Sequence, residues 1–185
     1  MINLNENPNL EVSSSLDEYK RKELEKTEKY LPDDISISCN IKLDNNIKMN
    51  FLTFPYENEN ERISWTDILT KQSTTNYANR GFDTKNGKTL GIRFNRLKNH
   101  IKYLDLYFMS DMLIENFVMK FFLLDITNTP EILFSYKKDF YESGFGVNLG
   151  TFAKIENKWR FYPKFKIEIF EYDRLINNRM QGDKL

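Results

Sequence analysis

The sequence predicts a mainly β protein, a two-layer antiparallel β-sandwich with a charged helix at its N-terminal end. Three observations predict it. Ile35, Ile37, Cys39, Ile41 and Leu43 alternate with Ser36, Ser38, Asn40 and Lys42, the period-two pattern of a strand with one buried face. Short apolar runs separated by turn residues then recur as far as Ile169, and about eight or nine such strands with few helical stretches read as a sandwich. A stretch rich in Glu, Lys and Arg and free of Gly and Pro, Leu16 to Tyr30, lies before the first strand.

Taken in order, residues 1–34 form an arm. Ser15 and Glu18 have the spacing of a capping box, which opens a helix by satisfying its first N–H groups, and Pro32 ends it. Nine acids against five bases give the arm a negative excess, and the neutral chain carries the opposite excess in the remainder. Leu16, Tyr19, Leu24 and Leu31 form a stripe too thin for a coiled-coil seam. Two readings stand: a solvated helix capping the domain, and an arm that docks a protein partner through those four residues.

The sandwich is expected over residues 35–171. After the first strand, Asp44-Asn45-Asn46 supplies turn chemistry, and Ile47 to Phe54 reads as the second strand of a hairpin-like pair closed by Pro55. From Tyr56 to Lys88 the chain is polar around Trp65, Ile68 and Leu69, and a long functional loop or irregular edge is expected. Strands follow around Leu90–Phe94, Leu104–Phe108, Phe117–Ile126 as a central strand, Ile132–Tyr136 and Phe145–Phe152, then a short Trp159–Phe161 and a last Phe165–Ile169. Residues 172–185 read as a short helix or a frayed tail.

Composition excludes several functions. The 185 residues hold 27 Lys and Arg against 27 Asp and Glu, without the basic excess that nucleic-acid binding needs. The longest apolar run, Phe117 to Leu124, is interrupted by Lys120 and falls well short of the roughly 20 residues of a membrane span. The start carries no basic and apolar signal regions, so a cytoplasmic location is expected. One cysteine and one histidine leave no disulfide, no cysteine-rich zinc site and no His-His metal motif.

No residue stands out as catalytic. Cys39 is in phase with Ile37 and Ile41 and belongs to the core. His100 follows Lys98-Asn99 between strands, in a solvated turn. Asp105 alternates with Leu104 and Leu106, on the opposite sheet face, facing solvent or a cross-strand partner. Gly144, Gly146 and Gly150 lack the following Lys-Ser/Thr and helix of a phosphate loop. The basic-aromatic run Lys158 to Lys166 fits a strand with a buried aromatic face. With no nucleophile–base pair and no metal cluster, the chain is not expected to be an enzyme.

Val147 to Phe161, VNLGTFAKIENKWRF, resembles the closing β-hairpin of the TerD family, the tellurium-resistance and stress proteins of bacteria: Leu149 before Gly150, Lys154, a turn at Glu156-Asn157 and the return through Trp159-Arg160-Phe161. Leu90–Leu97, Ile101–Met109, Asn116-Phe117 and Phe134–Phe140 resemble earlier strands of that domain. The resemblance implies a sandwich that binds calcium through an Asp-Leu-Asp strand and an acidic loop. Here the strand falls near Lys48-Met49-Asn50. The loop, laid over Tyr77 to Thr89, keeps Asn79, Arg80 and Asp83 but has Lys85, Gly87, Lys88 and Thr89 in place of the acidic run. Calcium wants six to eight oxygen ligands, so the site is expected to be degenerate, with Lys48, Lys85 or Lys88 in the ion's place and no cofactor. The implied function is a non-enzymatic binding domain in a cytoplasmic stress-response complex, contacting protein partners or further copies of itself. The alternative is a structural or adaptor subunit of a secretion or phage-like assembly.

Overall fold

The computed structural model describes residues 30–42, 47–57, 67–69, 77–84 and 87–181. Two units divide the chain, Met1–Tyr30 and Leu31–Leu185, and the second holds two five-stranded sheets. One sheet contains β1 (Asp34–Lys42), β4 (Ala78–Thr84), β5 (Gly87–Arg93), β7 (Phe117–Asp125) and β8 (Glu131–Phe140), in the order β4-β5-β1-β7-β8. The other contains β2 (Met49–Tyr56), β3 (Asp67–Leu69), β6 (Tyr103–Ile114), β9 (Gly144–Ile155) and β10 (Lys158–Glu168), in the order β10-β9-β6-β2-β3. Every pairing is antiparallel. The expected mainly β sandwich is what the chain forms. Its charged helix, with Leu16, Tyr19 and Leu24, lies outside the described residues.

The alternation in β1 does what period two requires: Ile35, Ile37, Cys39 and Ile41 are all buried, and they meet Phe108, Val147 and Phe152 of the opposite sheet in one core. Burial pushes the Cys39 thiol well above its ordinary range, so it is a small apolar residue and not a nucleophile.

Aromatic side chains close one side of the sandwich. Phe121 of β7 lies 5.5 Å from Phe161 and 5.2 Å from Phe165 of β10, and Phe165 stacks on Tyr136 of β8 at 3.8 Å. Elsewhere Phe94 stacks on Trp159 at 4.8 Å. Phe94 belongs to a 3₁₀ turn, Phe94–Arg96, that follows β5.

The structure corrects two expectations about elements and decides two that the sequence leaves open. β2 is not the hairpin partner of β1; it lies in the other sheet between β6 and β3, while both edges of β1 are filled by β5 and β7. The stretch Tyr56–Lys88, expected as a long loop or an irregular edge, contains an irregular edge: β4 pairs with β5 as a hairpin with a register shift between Arg80 and Asp83, and, beyond that expectation, Tyr77 and Ala78 are buried. There the polar edge strand hid a core anchor, whose hydroxyl shares a buried 2.8 Å hydrogen bond with Thr53. The two last strands are one, β10, with a bulge between Pro163 and Lys166. Pro163 suits an edge strand, where a missing N–H breaks little of the ladder, and Phe165 turns at φ 46° to keep its ring in the core. Finally, Asp105 faces away from the sandwich core and meets a cross-strand partner, Thr151, not solvent, and it is buried.

The reason is a second apolar layer. Leu52, Phe54, Tyr107 and Met109, on the outer face of the β2–β6 pair, pack with Leu175 of α1 (Tyr172–Gln181), which also brings Tyr172 and Ile176. Residues 172–181 are thus a helix covering a sheet face. Glu168, at the end of β10, prepares the turn into it by accepting a 3.0 Å hydrogen bond from the Phe170 N–H. Burial is the chief cause that raises the Glu168 carboxyl above its ordinary value of 4.5, against the pull of backbone N–H groups and Lys166.

A carboxyl raised in the folded state makes the native protein hold its proton to higher pH than the unfolded chain does. Stability therefore falls as pH rises from about 4.5 through the raised native value, and the full cost persists above it. Glu168→Gln keeps an acceptor for Phe170 and removes that charge. Urea unfolding at acid and neutral pH is expected to show the variant gaining on the parent as pH rises; a constant difference would contradict the burial argument.

Candidate functional site

Two segments that align with the calcium-binding parts of the family the chain resembles meet between the two sheets. Asn50 leaves β2 and Lys88 leaves β5, and the Lys88 ammonium donates a 3.2 Å hydrogen bond to Asn50 Oδ1 in a part-buried setting. Strand register brings them there: Lys88 stands opposite Cys39 on β1 and opposite Asp83 on β4. Asn79 lies farther along β4, opposite Gly91. Lys48 is exposed just before β2, and Lys85 lies outside the described residues.

The hairpin approaches β1 closely. A Cβ on Gly87 would strike the Asn40 side chain and come within 2.8 Å of the Cys39 carbonyl oxygen, so the backbone fits there only without a side chain.

A calcium cage does not fit these donors. Calcium is held by carboxylates and carbonyls, whereas here an ammonium hydrogen bonds the amide oxygen that β2 offers and stands opposite the single retained acid in register. Among the described residues there is no group of three or more His, Cys, Asp or Glu side chains able to hold a metal ion.

A second polar cluster, which sequence reasoning missed, lies on the outer face of the other sheet. Asp105 is 1% exposed and its Oδ1 accepts hydrogen bonds from the Thr151 hydroxyl at 2.5 Å and the Tyr56 hydroxyl at 3.0 Å. Asp105 and Thr151 are cross-strand partners between β6 and β9. Nearby, burial and then the Glu168 charge hold the Tyr107 hydroxyl far above its ordinary value. These groups accept, donate and fix strand positions. Tyr103, Asp105 and Tyr107, in one phase of an otherwise apolar strand, were the signal that this face is covered.

Of the four residues read as an interaction stripe, Leu31 alone is described. Its N–H donates to the Trp159 carbonyl at 2.9 Å, and its side chain packs against the core, so it joins the sandwich. His100 is exposed in its turn. Trp159 is in the core and Phe161 packs against it. The hairpin turn falls at Glu156 and Asn157, with φ 50° and 63°, the positive pair of the tight turns that match strand twist. No described helix is long and apolar enough to cross a membrane.

No protein-family model matches the chain, and no curated protein matches it. Solved structures do. SAV2460, a protein of unknown function, superposes with a TM-score of 0.57 at 10% identity, over 83% of this chain and 100% of its own. A homologue of the telluride resistance protein TerD, SCO6318 from Streptomyces coelicolor A3(2), gives 0.53 at 10% identity over 81% and 98%. At such identity the likeness concerns fold, and the chain has a TerD-like β-sandwich.

Proposed function

We propose that this chain is a non-enzymatic TerD-like binding domain that works through protein contacts in a bacterial cytoplasmic complex of the stress-response type, and does so without calcium. The observation that carries this reading is the Lys88–Asn50 hydrogen bond, which sets a cation where the two segments of the resemblance converge. No arrangement for bond-breaking chemistry accompanies it among the described residues. Calcium saturating a native site at 100 times its dissociation constant would add about 2.7 kcal/mol. Thermal unfolding with chelator and with millimolar calcium is expected to give the same midpoint. A rise of several degrees with calcium would refute the reading. An adaptor role in a larger secretion or phage-like assembly is the second reading, favoured by the acidic excess of residues 1–34.

A further inference from the structure

The two outer faces of the sandwich differ. One is apolar and lies under α1. The other is built from the outward residues of β1, β7 and β8, and none of the other described elements packs extensively across it. Its register sets Phe122 between Ser38 and Ser135, Leu124 beside Ser36, and Val118 between Lys42 and Asp139. Val118, Phe122 and Leu124 are half-buried in a row that Lys120 divides between Val118 and Phe122, and the exposed Ile132, opposite Leu124, extends it.

Three exposed lysines gather where the row is divided. Lys120 stands directly opposite Lys137, and Lys42 is diagonal to Lys120. Like charges directly opposite on a sheet repel. Among the described residues none of the three makes an ion pair; Asp139 shares the face and makes none either. The repulsion is relieved when an anionic group is set over the lysines.

We propose that this face docks an acidic amphipathic segment of a partner protein, its apolar side chains over Val118, Phe122 and Leu124 and its carboxylates over Lys42, Lys120 and Lys137. Charge complementarity selects an acidic occupant. The half-buried row selects a protein over a lipid bilayer, because bilayer entry wants several apolar side chains that project, and here Ile132 projects beside Leu124 while the other projecting groups of the row are lysines. This deepens the binding-domain reading, and the calcium experiment tests that reading independently.

The test titrates the isotope-labelled full chain with a synthetic Leu/Glu amphipathic peptide, a Leu/Lys counterpart, and vesicles of phosphatidylglycerol and phosphatidylcholine. The Leu/Glu peptide is expected to shift amide resonances of β1, β7 and β8, and the Leu/Lys peptide to leave them in place. Reversing the surface charges in K42E/K120E/K137E is expected to weaken binding about tenfold, the combined effect of three exposed ion pairs. Phe122→Ser is expected to weaken it as well. Absence of binding, equal affinity in the charge-reversed variant, shifts confined to other strands, or preference for the vesicles over the peptide would each overturn the proposal.

Discussion

Replacing Gly150 by alanine is expected to destabilise the protein by about 3 kcal/mol, combining backbone strain at positive φ with overpacking. Gly150 lies where two irregularities cross. On one side β9 slips against β6 between Leu106 and Tyr107; on the other, Gly150 faces Pro163 at the edge of the β10 bulge. Its φ is 146°, and a Cβ would run into the Tyr162 carbonyl oxygen and reach 2.9 Å from the Phe161 ring. The carbonyl cannot swing aside without breaking the hairpin. Urea denaturation of parent and variant measures the loss; a cost within experimental error would mean that β9 does not hold this conformation.

Phe121→Ala is expected to be at least as damaging, at about 3–5 kcal/mol, the range for emptying a large aromatic site in a packed core. The ring is fully buried and is the meeting point of the two sheets, touching Phe134 on its own sheet and Phe161 and Phe165 on the other. Its loss leaves three rings without their common neighbour, and β8, an edge strand, would be loosened first. Phe121→Leu, which refills most of the volume, is expected to recover much of the loss. If alanine and leucine were equally harmful, stacking geometry rather than volume would be the stabilising element.

Strand identity was legible where one face is wet. The alternation of β1 shows in its residues because Ser36, Ser38 and Asn40 face outward. Pairing was not legible, since a period-two pattern names a buried face but not a neighbour. Thus β2 was paired with β1 on proximity in sequence, although Leu52 and Phe54 on its other face already required a second covering layer. The short β3 and polar β4 could be read no more closely than as a loop or irregular edge for another reason: edge strands need few apolar residues. At the candidate site, the substitution of lysines for acids could be read directly from residues 85–88, whereas the approach of Lys88 to Asn50 depends on two strands from different sheets. Asp105 shows the same limit, because its partners Tyr56 and Thr151 lie 49 and 46 residues away.

The strand order also governs how the chain can be made. Among the described strands β1 leaves the ribosome first, yet its two neighbours are β5 and β7, so one flank stays open until residues near Arg93 have been synthesised and the other until residues near Asp125 have. At the ordinary elongation rate of about 5–20 residues per second, a strand with one wholly apolar face waits several seconds in an unfinished polypeptide. Nascent copies on neighbouring ribosomes would meet during that interval, and loop closures this long are slow in themselves. The topology therefore makes synthesis, rather than the finished fold, the stage at which the apolar face of β1 is longest exposed.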